Sequence, residues 1–146
     1  MVKVYRSTVL NAPADRVWRD LRDFNGLASW HPLIALSRIE KGHPADKVGC
    51  VRILQYKDGA QVREKLLSLS DYDYSCISAI LDSPMDLSDH IATLRLFPVT
   101  EGNRCFIEWS AEFDCPLEKA AELTEIVSGG MFLTGLDALK KRYGQL

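Results

Sequence analysis

Hydrophobic positions recur with helical spacing near the start of the chain, after a first strand predicted over residues 2–10. We predict a helix that begins near Pro13, because the fixed backbone of proline suits a first helical turn. Residues 25–33 are too short and broken for a full helix, so we expect a single turn that stops before Pro32. The helix is expected to bury one stripe, made of Val17, Trp18, Leu21 and Phe24.

From residue 34 to residue 113 the period changes to that of strands, with turn residues between the runs. Because most of the connections are short, an antiparallel meander is the simplest topology. The last run alternates clearly, with Cys105, Ile107, Trp109, Ala111 and Phe113 on one face, so one face of the sheet should be buried. The predicted strands lie within residues 34–42, 48–56, 61–70, 74–83, 89–99 and 104–113.

Helical spacing returns after Pro116 and continues to near Tyr143. Gly129 and Gly130 interrupt this segment. They predict either a helix break or close approach of the backbone to the sheet, or else room for a ligand beneath the helix. One broad side of the helix should be buried, and it carries Leu117, Ala120, Leu123, Val127, Met131, Leu136 and Leu139.

Together these elements predict an α+β fold. A curved, seven-stranded antiparallel sheet is wrapped on a long C-terminal helix, with two short helices after the first strand. We expect a single domain over residues 1–146.

Composition excludes several classes of function. The 146 residues are 47% hydrophobic and 26% charged, with a net charge of -2 and no run of five or six like charges, so neither nucleic-acid binding nor attraction to an anionic membrane is expected. No apolar run approaches the length of a membrane span, and the first residues lack the apolar core of a signal peptide, so we expect a cytoplasmic protein without an integral membrane segment. Four widely spaced cysteines favour buried free thiols over disulfides.

Metal, cofactor and nucleophile motifs are not evident. The three histidines, His31, His43 and His90, fall on separate elements without paired spacing, so we expect no metal site and no cofactor. We expect His31 to be a solvated loop residue rather than a functional one. No G-x-S-x-G motif is present for a nucleophilic serine.

The segment CVRILQYKDGAQVREKL, residues 50–66, places two charges among apolar neighbours of a predicted hairpin. A two-residue turn would set Arg52 opposite Lys65, whereas a three-residue loop with Gly59 in a left-handed conformation would set Arg52 opposite Glu64. The second register also separates apolar from polar positions, so we predict the three-residue loop. Its apolar face is expected to collect Val48, Cys50, Leu54, Val62 and Leu66.

In that register Arg52 and Glu64 point toward the concave apolar side of the sheet. A buried ion pair seldom stabilises a fold better than packed apolar residues, so its place in mid-strand suggests a polar patch in a ligand cavity. The alternative is a pair that satisfies only itself, or one that water reaches at the strand ends.

Five segments resemble the START-related helix-grip superfamily (SRPBCC), and most closely its polyketide cyclase/dehydrase-like group. They are VWRDLRDFNGLASWHP, VGCVRILQYKDGAQVREKL, SPMDLSDHIATLRLFP, IEWSAEFD and GLDALKKRY. The resemblance implies a seven-stranded sheet that grips a C-terminal helix around a hydrophobic cavity. It also implies family positions at Trp30, Arg52, Glu64 and Trp109. Members often carry a tyrosine where this chain has His90, which is therefore a candidate acid/base or ligand-contacting residue, or simply a hydrogen-bonded inward histidine.

Three functions follow from this resemblance and the residues. First, we expect the chain to bind a small hydrophobic molecule, lipid-like, polyketide-like or aromatic, as a carrier or sensor. The alternative is a cyclase/aromatase- or dehydrase-like enzyme, with Arg52, Glu64 and His90 as catalytic candidates and Tyr56 in support. A third function, binding of a partner protein through the loop that holds Trp30 and His31, stays open, and so does a homodimer. The predicted ligand-binding residues are Trp30, Cys50, Arg52, Leu54, Val62, Glu64, Leu66, His90, Trp109, Val127 and Met131.

Overall fold

A computed structural model describes residues 1–144, and one antiparallel sheet of seven strands is its main feature. The strand order is β1-β7-β6-β5-β4-β3-β2, so β2 to β7 form a meander and β1 closes the sheet beside β7. This confirms the predicted α+β helix-grip fold. The strands are β1 (Val2–Leu10), β2 (Ile34–Ile39), β3 (Val51–Tyr56), β4 (Gln61–Ser70), β5 (Ser75–Asp82), β6 (Ser88–Val99) and β7 (Arg104–Asp114).

Two short helices follow β1, and a long helical stretch ends the chain. The short helices are α1 (Ala14–Leu21), which begins after Pro13 as expected, and α2 (Leu27–Trp30), which is a single turn. The C-terminal stretch contains a 3-10 turn (Leu117–Lys119), α3 (Ala120–Glu125), a π-helical segment (Ile126–Leu133) and α4 (Thr134–Tyr143). A second 3-10 turn, Glu40–Gly42, lies between β2 and β3. No helix within residues 1–144 is long and apolar enough to cross a membrane.

The main core lies between the concave face of the sheet and the C-terminal helix. All five positions predicted to face inward on β7 are buried, and so are Leu136 and Leu139 on α4. Apolar burial of this kind contributes about 25 cal/mol per Å² and accounts for the way the helix is held in the sheet. The four cysteines, Cys50, Cys76, Cys105 and Cys115, are free thiols.

Two residues predicted to be buried are exposed. Val48 is 56% exposed because β3 begins only at Val51, after Gly49 turns the chain with a φ of +96°. Leu117 is 90% exposed because it lies in the 3-10 turn that precedes α3, before the helix reaches the sheet. The predicted strand and helix therefore each began three residues too early.

The glycine pair predicted to interrupt the helix lies in the π-helical segment. The chain does not break there; the helix widens over eight residues and narrows again at Thr134. π-helical turns are rare and often occur at functional sites. A Cβ atom placed on Gly130 would meet no other atom within 4 Å, which shows open space on that side of the helix.

Candidate functional site

The β3–β4 hairpin adopts the predicted three-residue loop. The amide of Tyr56 donates to the carbonyl oxygen of Ala60 at 2.8 Å, and Gly59 has a φ of +94°. Glycine tolerates this left-handed conformation because it has no Cβ atom. The loop fixes the register, and Arg52 pairs directly with Glu64 across the two strands.

Arg52 is held by a residue of β4, Glu64, and by a residue of the turn between α1 and α2, Phe24. Its Nε and one terminal nitrogen donate to Oε1 of Glu64 at 2.8 and 2.5 Å, and the other terminal nitrogen donates to the carbonyl oxygen of Phe24 at 2.9 Å. The guanidinium carbon also lies 4.0 Å from the centre of the Phe24 ring, a cation–π contact. Since the side chains of Arg52 and Glu64 are only 11% and 8% exposed, this is a buried ion pair with an additional hydrogen bond.

Within the part of the chain that the structure describes, Glu64 accepts hydrogen bonds on one of its two oxygens. Both of its bonds from Arg52 end on Oε1, so Oε2 takes no part in the ion pair. A carboxylate has acceptor sites on each oxygen, and a buried one stabilises its charge with further hydrogen bonds. Oε2 is therefore available to accept a hydrogen bond from a molecule that reaches this point.

Beside the pair, a cavity of about 350 Å³ lies between the sheet and the C-terminal helix. Lining residues that are also exposed, such as Leu33, Asp58 and Ile126, mark its opening. Most of the remaining wall is apolar or aromatic. The buried part of the lining contains Val62, Glu64, Ser78, His90, Ala92, Trp109, Val127 and Phe132.

Aromatic side chains from the sheet and from the helix meet in one part of the cavity wall. Trp109 of β7 stacks on Phe132 of the π-helical segment with ring centres 4.6 Å apart and an angle of 21° between the planes. On the strand side, the Tyr56 hydroxyl lies 3.6 Å from the Met131 sulfur, a weak acceptor. Burial raises the pKa of Tyr56, and the nearby Glu64 carboxylate raises it further, so the phenol stays protonated.

Seven of the eleven predicted ligand-binding residues line this cavity, and four do not. Leu54 is packed in the main core, while Cys50 and Leu66 form a separate cluster with Phe24. These three residues are fully buried, but none of them lines the cavity. Trp30 borders a smaller space of about 40 Å³ next to the main cavity. The lining residues are Arg52, Val62, Glu64, His90, Trp109, Val127 and Met131.

His90 faces inward from β6 and is only 5% exposed. Its ring stacks on Phe113 at 5.8 Å, and its Nδ1 atom is buried without a hydrogen-bond partner within residues 1–144. Burial lowers the pKa of His90, although the Glu64 carboxylate acts in the opposite direction. The side chain is therefore an inward histidine but not a fully hydrogen-bonded one.

The expectation that His31 is solvated was wrong. It is 1% exposed, its Nε2 lies 2.7 Å from the carbonyl oxygen of Met131, and its Nδ1 accepts from the amide of Leu33 at 3.2 Å. These two bonds fix a neutral ring with the proton on Nε2. Gly135 explains the burial, because a Cβ atom there would lie 2.8 Å from Cδ2 of His31 and 2.9 Å from Cζ3 of Trp109.

Several lining residues were not found from the sequence. Tyr56 had been considered only in support of catalysis, and the remaining positions carry no unusual pattern. The alternation along β5 could have indicated Ser78 and Ile80, because both lie on the same face of the strand as Cys76. The additional lining residues include Leu33, Tyr56, Ser78, Ile80, Met85 and Phe132.

No metal-binding arrangement accompanies the cavity in the part of the chain that the structure describes, where no three His, Cys, Asp or Glu side chains converge. The ionisable groups in the cavity lining are instead those of the Arg52–Glu64 pair, Tyr56, His90 and, at the opening, Asp58.

Solved structures share this fold over nearly the whole chain. A protein from Thermobifida fusca is 30% identical, with a TM-score of 0.88, and the match covers 99% of this chain and 94% of that one. The XoxI protein of Bacillus cereus is 27% identical, with a TM-score of 0.86 and coverage of 98% and 96%. Norcoclaurine synthase of Thalictrum flavum, solved with dopamine and hydroxybenzaldehyde, is 16% identical, with a TM-score of 0.76 and coverage of 97% and 85%, which shows a common fold.

No curated protein matches the chain. A family model does, and the match spans residues 1–144, which is all but the last two residues. The fold and the match agree with the family resemblance seen in the sequence. The chain belongs to the family described as polyketide cyclase/dehydrase and lipid transport.

Proposed function

We propose that the protein binds a small, mostly apolar molecule in the cavity between its sheet and its C-terminal helix, as a carrier or a sensor. The observation that carries this proposal is the cavity itself. Its volume of about 350 Å³ falls within the range of about 300–1,000 Å³ that is typical of small-molecule sites.

The character of the lining supports the same proposal. Ligand sites are mostly apolar and aromatic, with a few polar groups that orient the bound molecule. Here Trp109 and Phe132 offer aromatic surface, and the polar groups of Glu64, Ser78 and His90 lie at the buried part of the wall.

The hydrogen bonds of Arg52 favour binding over the cyclase- or dehydrase-like alternative. An acid/base pair must be free to exchange protons with a substrate and to stabilise its developing charge. Arg52 and Glu64 instead bond to each other, and the backbone carbonyl of Phe24, in the turn between α1 and α2, accepts from the guanidinium. We therefore assign the pair an orienting role beside the ligand.

A titration with the neutral fluorescent probe N-phenyl-1-naphthylamine tests the proposal. The wild-type protein should bind one probe per chain with enhanced fluorescence. Gly130→Leu should weaken binding by about tenfold or more, because its side chain would enter the open space that Gly130 leaves in the lining. Gly130→Ala is the matched control and should retain most of the affinity.

Mass spectrometry of the protein purified gently from its host provides an independent test. We expect a co-purified apolar compound that is lost in Gly130→Leu. Absence of probe binding by the wild-type protein, or equal binding by Gly130→Leu, would contradict the proposal.

A further inference from the structure

The cavity carries little positive charge toward a bound molecule. Among its lining residues, Arg52 is the cation at neutral pH, while Asp58 and Glu64 are anions. Burial lowers the pKa of His90, so its ring adds no charge there. The lining is thus net negative, with one carboxylate at the buried end and one at the opening.

Arg52 is already committed to groups of the protein. Three of its N–H bonds are donated to Glu64 and to the carbonyl oxygen of Phe24, and the Phe24 ring covers one face of the guanidinium. A ligand carboxylate that reached its remaining N–H bonds would lie next to the Glu64 carboxylate. Two like charges so close in a weakly polar site repel strongly.

The groups that remain available are suited to a hydroxyl group. Oε2 of Glu64 can accept a hydrogen bond, and a charged acceptor makes one of the stronger bonds found in proteins. The hydroxyl of Tyr56, whose one hydrogen bond within residues 1–144 goes to a weakly accepting sulfur, can donate. An alcohol or phenol both donates and accepts, whereas a carboxylate only accepts.

We propose that the buried end of the cavity selects a neutral, hydroxyl-bearing apolar molecule and discriminates against carboxylates, with Oε2 of Glu64 as the acceptor for the ligand hydroxyl. This inference rests on the proposed binding function and narrows its ligand class to apolar alcohols and phenols. The ion pair would then determine which ligands bind, because Glu64 neutralises the charge of Arg52 with one oxygen and accepts a hydrogen bond from the ligand with the other.

Displacement of N-phenyl-1-naphthylamine by three matched probes at pH 7.5 tests the inference. The probes are 1-decanol, decanoate and methyl nonyl ether, which is an isomer of 1-decanol that cannot donate a hydrogen bond. We expect 1-decanol to bind about tenfold or more tightly than either of the other two.

Glu64→Gln tests the role of the carboxylate. Removing the negative charge leaves the charge of Arg52 unmatched, so the affinity for decanoate relative to 1-decanol should rise by about tenfold or more. Glu40→Gln is the matched control, because Glu40 also pairs with an arginine, Arg63, but lies outside the lining. It should keep the wild-type preference.

The outcomes separate the inference from the function on which it rests. If the fluorescent probe does not bind the wild-type protein, both fail. If the probe binds but decanoate or the ether competes as well as 1-decanol, the inference fails and the binding function stands. The comparison on the wild-type protein decides the matter even if Glu64→Gln does not fold.

Discussion

The Nε2 atom of His31 lies 2.7 Å from the carbonyl oxygen of Met131 and links the end of α2 to the π-helical segment. The other ring nitrogen accepts from the amide of Leu33, at the cavity opening. One buried imidazole therefore connects the opening of the cavity to the helix that forms its wall. The connection requires a neutral ring, because a protonated Nδ1 could no longer accept from Leu33.

Acid should therefore destabilise the fold through its buried histidines. Burial lowers the pKa values of His31 and His90 in the folded protein, whereas both titrate near 6.5 when unfolded. As the pH falls through 6.5, the unfolded chain takes up protons first, and folding stability is lost until the pH reaches the folded pKa values. The slope approaches about 1.4 kcal/mol per pH unit for each histidine.

Urea denaturation between pH 7.5 and pH 5.5 measures this loss. His31→Gln and His90→Gln should each reduce the pH dependence, and the double variant should reduce it most. His43→Gln is the control, since His43 lies in the β2–β3 connection and is not one of the buried histidines. Equal slopes for the wild-type protein and the double variant would rule out the two histidines as the cause.

Gly135→Ala should destabilise the protein by about 1–3 kcal/mol. Its added methyl group would overlap the rings of His31 and Trp109, which are both buried and cannot move freely. Thermal or urea unfolding checks this expectation. Gly130→Ala is the control from the same helical stretch and should be neutral or stabilising, because its methyl group meets open space. Similar changes in stability from the two variants would show that helix propensity, and not packing against His31 and Trp109, determines the effect of Gly135→Ala.

Removing either member of the buried ion pair should cost about 3–5 kcal/mol, because the other charge is left buried without a partner. Arg52→Met and Glu64→Leu are the single variants. The double variant Arg52→Met/Glu64→Leu should recover most of the loss, since two apolar side chains can pack in the same space. A double-mutant cycle in urea measures the coupling between the two positions.

The same cycle on Arg63 and Glu40 provides its control. Those side chains are 38% and 21% exposed, so water screens their charges and the coupling should be much smaller. A double variant of Arg52 and Glu64 that is no more stable than the single variants would contradict the account of the pair.

The sheet and the hairpin register could be predicted from the sequence because short-range rules determine them. Alternation along β7 follows from the two faces of a strand, and Gly59 selects a loop length that leaves one register for Arg52 and Glu64. The beginnings of elements were less certain. Val48 and Leu117 are apolar and adjoin predicted elements, but the chain turns before it reaches the core.

The site was only partly predictable because the cavity depends on how the helix meets the sheet. Leu54 illustrates this, because it is packed in the main core and does not line the cavity, although the alternation along its strand is regular. Gly130 does line the cavity, which agrees with one of the alternatives predicted for the glycine pair. The burial of His31 had no sequence signal either, since it depends on Gly135, about one hundred residues away. The π-helical segment also makes the lining harder to predict, because its wider turns rotate every later side chain away from the position it would have on a regular α-helix.

A crystal structure of the protein with 1-decanol tests the central claim most directly. The account predicts density for the alkyl chain between Trp109 and Val127, with the hydroxyl oxygen within about 3 Å of Oε2 of Glu64. An empty cavity at saturating 1-decanol would contradict the selectivity for alcohols. A bound alcohol whose hydroxyl points to the opening beside Asp58 would contradict the role given to Glu64.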